Sequence, residues 1–338
     1  MALGGDRQIH EPCFRQRFPW LGADLQTLRD ALLPHRLSLP PDQQPLHLPV
    51  AGGALLGWLA RPEAARALVV LVHGLAGSSE GAGVRRLAAL LHQRGLAVLR
   101  LNLRGAGAGR PLAPGSYSAS CSTDLLPVLD QARQLAAGLP LFGVGLSLGG
   151  TALLNALLEQ PSCLDALVAL SAPLDLAASC RHMQRRRNRL YLQVVLRRLR
   201  RQVAADPNGL PEAERRALAA LPTASLAAFD AAITAPRWGY DALAHYYAAA
   251  SPLQPLLAMP QLPPLLLLQA ADDPWVPSAA AEALAAAVER GPSRLSVVLT
   301  RHGGHNGFHG SSDHAQAGVP GSWSDRLTAA WLEQQLQP

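Results

Sequence analysis

The chain has 338 residues, 49% hydrophobic and 16% charged, which excludes a disordered chain and allows one sizeable core. Its net charge is +6 and every basic residue is arginine, a balance that suits anionic partners without naming one. No stretch reaches the roughly 18 uninterrupted apolar residues of a membrane span.

In chain order, Leu46 to Leu59, broken by Gly52 and Gly53, reads as a hairpin. Short apolar runs follow at Ala67 to Val72, Ala97 to Asn102, Leu141 to Leu146, Ala166 to Leu170, Leu265 to Gln269 and Leu295 to Thr300. Each reads as a strand buried on both faces. Helical patterns fall at Gly81 to Arg94, Ser122 to Ala137, Leu148 to Glu159, Ser278 to Glu289 and Trp323 to Leu336. This alternation predicts α/β architecture, a mostly parallel sheet flanked by helices, as one domain over residues 1–338. Residues 172–259 show no strand pattern, so they are expected to form a helical cap inserted over the site.

Cys13, Cys121, Cys163 and Cys180 lie far apart and read as reduced, separate thiols. The first twenty residues carry no apolar run suited to a signal or anchor. A cytoplasmic protein is expected on both counts.

Four motifs carry chemistry. Gly145-Leu146-Ser147-Leu148-Gly149 fits the G-x-S-x-G elbow, a sharp strand-to-helix turn that lifts a serine clear of the sheet. Taken alone, it could be a glycine-rich turn holding an incidental serine. His73-Gly74-Leu75 closes an earlier strand, where a second oxyanion donor is needed. The candidate donors are the N–H groups of Leu75 and Leu148, with the His73 side chain read as structural. After Leu265 to Gln269 come Asp272 and Asp273; the D-P-x-V-P spacing favours Asp273 as the acid that orients a histidine, with Asp272 as runner-up. His305, after Gly303 and Gly304, is the expected general base, and His302 the alternative.

The order Ser147, Asp273, His305 is that of an α/β-hydrolase triad and of neither other common serine-protease order. A rival use of the same histidines is zinc binding by His302, His305, His309 and His314 with Asp313, but the glycines argue for a loop over a ligand-bearing helix. No metal or other cofactor is needed.

These residues resemble the YheT-like branch of the α/β-hydrolases, related to eukaryotic abhydrolase-domain esterases. The resemblance runs from Leu25-Gln26-Thr27-Leu28 through His73 to Glu80, Asn102-Leu103-Arg104-Gly105 and the elbow. It continues through Phe229-Asp230, Ile233-Thr234-Ala235, Gly239-Tyr240 and Tyr246-Tyr247 to Asp272-Asp273-Pro274 and Gly303 to Phe308. One departure is Asn306, where valine is expected. The resemblance implies carboxylic-ester hydrolysis, with some members acting on medium-chain esters or phospholipids and some relatives transferring acyl groups.

Arg181 to Arg201 holds nine arginines around an apolar centre. As a helix it would place Leu190, Val194, Val195 and Leu199 on or near one face, packed on the core beneath a solvated lid. The other reading is an interfacial helix that meets anionic lipid. Nucleic-acid binding has no supporting motif. The expected activity is hydrolysis of a small-molecule acyl ester. The alternatives are acyl transfer to an alcohol by the same triad, or a non-catalytic lipid-binding protein.

Overall fold

Leu68–Val72 and Ala97–Leu101 are five-residue strands buried at every position, apolar but for Arg100 and too short for a surface helix. The computed structural model describes residues 13–33, 39–40, 42–258, 261–290, 294–314 and 321–337. It contains β1 (Gln44–Val50), β2 (Gly53–Ala60), β3 (Leu68–Val72), β4 (Ala97–Leu101), β5 (Leu141–Leu146), β6 (Ala166–Leu170), β7 (Leu265–Ala270) and β8 (Leu295–Thr300). They form one sheet in the order β1-β2-β4-β3-β5-β6-β7-β8. The β1–β2 and β2–β4 pairs are antiparallel and the remainder parallel.

Side chains alternate between the faces as the pleat requires. Leu68, Val70 and Val72 enter one core, Val69 and Leu71 the other. The helices are α1 (Gly22–Leu32), α2 (Ala82–Gln93), α3 (Ser122–Ala136) and α4 (Leu148–Glu159), then α5 (Leu176–Met183), α6 (Arg189–Ala204) and α7 (Glu212–Ala220). They continue as α8 (Leu226–Phe229), α9 (Ala235–Arg237), α10 (Leu243–Ala249), α11 (Leu253–Leu257), α12 (Ala279–Val288) and α13 (Trp323–Gln334). α3, α4 and α12 build the first core, α2 and α13 the second. Helices α5 to α11 lie between β6 and β7, where no strand was expected. Met259, the upper bound expected for this insertion, lies outside the described residues, as does the chain before residue 13.

Two features depart from the sequence reading. Helix α1 was not foreseen, because its buried side chains are the polar Gln26 and Arg29 while its leucines face outward. Hydrophobic periodicity therefore gives the wrong signal there. The arginine-rich run is also not one helix. α5 ends at Met183, a short turn follows over Arg186–Asn188, and α6 begins at Arg189. The buried Asn188 amide fixes this break by donating to the carbonyls of His182 (3.0 Å) and Pro274 (2.5 Å). The core face of α6 is Leu192, Val195, Leu196, Leu199 and Val203, while Leu190 and Val194 are exposed.

Candidate active site

Leu75, Ser147, Asp273 and His305 lie in loops or turns at the carboxyl ends of parallel strands, and Leu148 opens the helix that follows β5. β5 ends at Leu146 and α4 starts at Leu148, so the chain reverses through Ser147 alone. Ser147 takes φ 52° and ψ −125°, a left-handed conformation that costs a non-glycine residue about 1–3 kcal/mol. Its N–H donates to the Leu170 carbonyl of β6 at 2.8 Å, which helps hold the strain in place. The glycines are steric requirements. A Cβ on Gly145 would lie 2.4 Å from the Gly150 backbone, and one on Gly149 2.4 Å from the His73 carbonyl.

Ser147 Oγ lies 3.0 Å from His305 Nε2, and His305 Nδ1 lies 2.9 Å from Asp273 Oδ2. All three residues are buried. Asp273 Oδ1 accepts from the backbone N–H groups of Trp275 (2.8 Å) and Val276 (3.0 Å), and Gln269 Nε2 donates to Oδ2 at 3.2 Å. These donors hold the carboxylate in place and fix the oxygen that faces the histidine. Asp272 points elsewhere. It accepts from the Gly304 N–H at 2.9 Å and faces His302 Nδ1 at 3.2 Å, bracing the histidine loop.

The first donor loop is set by His73. Leu103 N–H donates to His73 Nε2 at 3.2 Å, so the ring proton sits on Nδ1 and is donated to the Gly74 carbonyl at 2.8 Å. Burial pushes the imidazole down to about 4, keeping it neutral, although the Gly74 bond acts upward. Gly77 N–H also donates to the Gly74 carbonyl, at 3.1 Å. In a planar trans peptide the next N–H opposes the carbonyl, so pinning Gly74 aims the Leu75 N–H away from His73. Leu148 N–H opens α4 and has no intrahelical acceptor. Neither N–H has a protein partner among the described residues.

Two groups of residues had no assigned role in the sequence. Trp275 stacks on His305 with ring centroids 4.5 Å apart and planes 25° from parallel. Its only sequence signal was its place two residues after Asp273. On α1, Thr27 Oγ1 accepts the His305 N–H at 2.9 Å, while Gln26 accepts the His309 N–H at 2.7 Å and donates to the His309 carbonyl at 2.9 Å. Gln26 and Thr27, the polar pair inside the Leu25–Leu28 motif, therefore seat the histidine loop, while Leu25 is exposed. Asn306, the departure noted above, takes φ 55°, a conformation that asparagine tolerates and β-branched valine resists.

The remaining histidines do not gather. His302 faces Asp272, and His309 faces Asp30 and Asp313. Among the described residues, no three His, Cys, Asp or Glu side chains converge as metal ligands. The His314 side chain lies outside the described ones.

Two cavities meet at Ser147. One, of about 90 Å³, is walled by Leu148, Met183, Val195, Leu199, Val203, Leu226 and Phe229, with Asp230, Thr234 and Tyr247 also lining it. The other is a cleft of about 800 Å³ between α1, α2 and α6, carrying Asp24, Asp30, Arg86, Arg187 and Arg198. Leu75, Ser147, Val195, Trp275 and His305 line both.

Comparison with known proteins agrees with this arrangement. Residues 63–309 match the family described as serine aminopeptidase, S33 (Hydrolase_4). The chain is 29% identical to YheT of Escherichia coli K12, covering 93% of this chain and 91% of that one. It is 30% identical to the medium-chain fatty acid ethyl ester synthase/esterase 2 of Saccharomyces cerevisiae over 70% of its length, but spans only 57% of that longer protein. In fold it is similar to the Pyrococcus furiosus esterase Pf2001, with a TM-score of 0.57 at 14% identity, covering 90% of this chain and all of that one.

Proposed function

Because the chain belongs to the serine aminopeptidase S33 family, in the YheT-like branch of the α/β-hydrolases, and is thus a hydrolase, we propose that it cleaves carboxylic esters through an acyl-enzyme on Ser147. The observation that carries this is the continuous hydrogen-bonded chain Ser147–His305–Asp273, closed at 3.0 Å and 2.9 Å. His305 Nε2 takes the Ser147 proton as Oγ attacks the ester carbonyl, and Asp273 stays ionised beside the imidazolium. The tetrahedral oxygen lies between the Leu75 and Leu148 N–H groups. Collapse expels the alcohol, which receives the proton from His305. A water then repeats the sequence in reverse, releasing the acid and restoring the Ser147 hydroxyl.

The apolar chamber suits the acyl chain and the open cleft suits the alcohol and the incoming water. The insertion of α5 to α11 acts as a lid, since it supplies most of the chamber wall. A short- to medium-chain acyl group suits a small apolar space of this kind, and the yeast relative's name points the same way. That name also supports a second reading, in which an alcohol entering the cleft takes the acyl group in place of water. No helix among the described residues is long and apolar enough to cross a membrane. The four cysteines are free, which suits a reducing compartment such as the cytoplasm.

The test is hydrolysis of p-nitrophenyl esters from acetate to palmitate by wild type and Ser147→Ala. The expected result is a clear chain-length optimum that disappears in the variant. Undiminished turnover by a folded Ser147→Ala protein would overturn the proposal. Product ratios with and without added ethanol separate hydrolysis from transfer.

A further inference from the structure

Seven large hydrophobic side chains are exposed among the described residues, and all lie on two neighbouring segments. Phe18 (82% exposed), Leu21, Leu25, Leu32 and Leu33 belong to α1 and the residues flanking it; Leu190 (77%) and Val194 belong to α6. The segments are joined through Asp24, which accepts from Arg187 at 3.0 Å and from the Tyr191 hydroxyl at 2.9 Å. Between them opens the cleft that leads to Ser147, with Leu28, Leu190 and Val194 in its lining.

Both helices present these residues in register. Leu21, Leu25, Leu28 and Leu32 recur at i, i+4, i+7 and i+11, one stripe along α1. On α6 the same spacing gives Leu190, Val194, Arg197 and Arg201, a stripe that is apolar at one end and cationic at the other. The opposite face of α6 is the one packed on the core, so folding does not require leucine at position 190. The charges are as one-sided as the leucines. Arg185, Arg186, Arg189, Arg197, Arg198 and Arg201 have no carboxylate partner among the described residues; Arg187 alone in this run is paired.

We propose that this face, α1 and α6 around the mouth of the cleft, docks on the surface of an anionic lipid bilayer. An interfacial helix lays its apolar side chains into the boundary between headgroups and acyl chains, while arginines reach outward to lipid phosphates. The leucine stripes supply the first element and the unpaired guanidiniums the second. Docked in this way, the protein turns the open end of the cleft toward the membrane, so an ester dissolved in the bilayer reaches Ser147 without crossing water. The surface rests on exposure and charge. The esterase reading gives it a purpose but is not needed for binding.

Vesicle flotation tests the proposal, using Ser147→Ala protein so that binding is read apart from turnover. Vesicles of equal parts phosphatidylcholine and phosphatidylglycerol should retain the protein at least tenfold better than phosphatidylcholine alone, given roughly tenfold for every one or two surface cations engaged. In the same background, Arg197→Glu with Arg201→Glu, and separately Leu25→Glu, should each weaken binding by about tenfold or more. Placed in otherwise wild-type protein, these substitutions leave turnover of water-soluble p-nitrophenyl acetate intact, which also reports folding. Equal binding to both vesicle types, undiminished binding by the variants, or no vesicle binding at all would overturn the proposal. Capture of the face by an acidic protein in place of vesicles would do the same. Loss of all esterase activity in wild type would overturn the reading of Ser147 and leave the flotation result standing.

Discussion

The two cavities that meet at Ser147 are opposites. The chamber is small, holds about 90 Å³ and is walled mainly by leucine, valine and phenylalanine. The cleft holds about 800 Å³, opens to solvent and is rimmed by carboxylates and guanidiniums. A reaction that splits an ester needs both. The acyl chain gains from desolvation, whereas the departing alcohol and arriving water must pass freely. The residues lining both cavities, including Ser147, His305 and Trp275, should govern every substrate alike. Residues lining only the chamber should govern the choice among chain lengths.

The largest test of this division is Asp273→Asn. Removing the carboxylate that fixes the His305 tautomer should lower kcat by about 10⁴ while leaving the fold intact. Acetyl and octanoyl esters should lose the same factor. A loss that depended on chain length would mean that Asp273 shapes the chamber, and the division would fail.

Next in size is an effect on stability inside the chamber. Asp230 sits in a π-helical turn, accepting from the Thr234 hydroxyl at 2.8 Å and the Tyr247 hydroxyl at 2.9 Å. The buried Tyr246 and Cys180 lie nearby. Burial raises its carboxyl to about 6, although the two hydroxyls pull it down. Against 3.8 in the unfolded chain, the ionised form costs the folded state about 3 kcal/mol. The folded protein therefore holds this proton more tightly. The associated stability is fully present below pH 3.8 and is lost as pH rises through about 6. Asp230→Asn should flatten the dependence over that window, compared by urea unfolding near its two ends. An unchanged slope would show that Asp230 is not the titrating group.

Filling the chamber is the third test. Leu199 is buried on the core face of α6 and lines the chamber but not the cleft. Leu199→Phe should shift the optimum toward shorter acyl chains and change the octanoyl-to-acetyl ratio of kcat/KM by about 30-fold, the scale on which apolar pockets discriminate by a methylene or two. An unchanged ratio would place the acyl chain in the cleft.

The cleft side was harder to read in sequence than the chamber side, and the reasons are physical. The elbow, the donor loop and the acid loop are local; each needs a particular residue within a few positions of a strand end, and Ser147, His73 and Asp273 carry that pattern openly. Strands such as Leu68–Val72 were legible because burial on both faces leaves a uniform apolar run. Helix α1 carries the reverse pattern. Gln26 is fully buried because it bonds to His309, 283 residues away, and no local periodicity encodes that partner. Asn188 is similar, since it breaks the arginine-rich run by donating to Pro274, 86 residues on. On α6, Leu190 and Val194 read with Val195 and Leu199 as one face packed on the core, whereas only the latter two are buried.

Trp275 offers the smallest effect and the finest test, because it stands at the joint between the two cavities. Its ring lies 4.5 Å from that of His305 and nearly parallel to it, so it is placed to stabilise the imidazolium that forms as Ser147 attacks. It also forms wall on both sides. The two roles separate in the kinetics. If the stack acts on the base, Trp275→Ala should lower kcat by about tenfold for acetyl and octanoyl esters alike, within the range of a desolvated cation–π contact. Trp275→Phe, which keeps an aromatic face, should then recover most of that loss. If the indole served only as wall, octanoyl esters would suffer chiefly in KM, acetyl esters would be spared, and phenylalanine would rescue in proportion to its size. Equal losses in kcat across chain lengths would place Trp275 with the shared chemistry, and a KM effect confined to the longer ester would place it with the chamber.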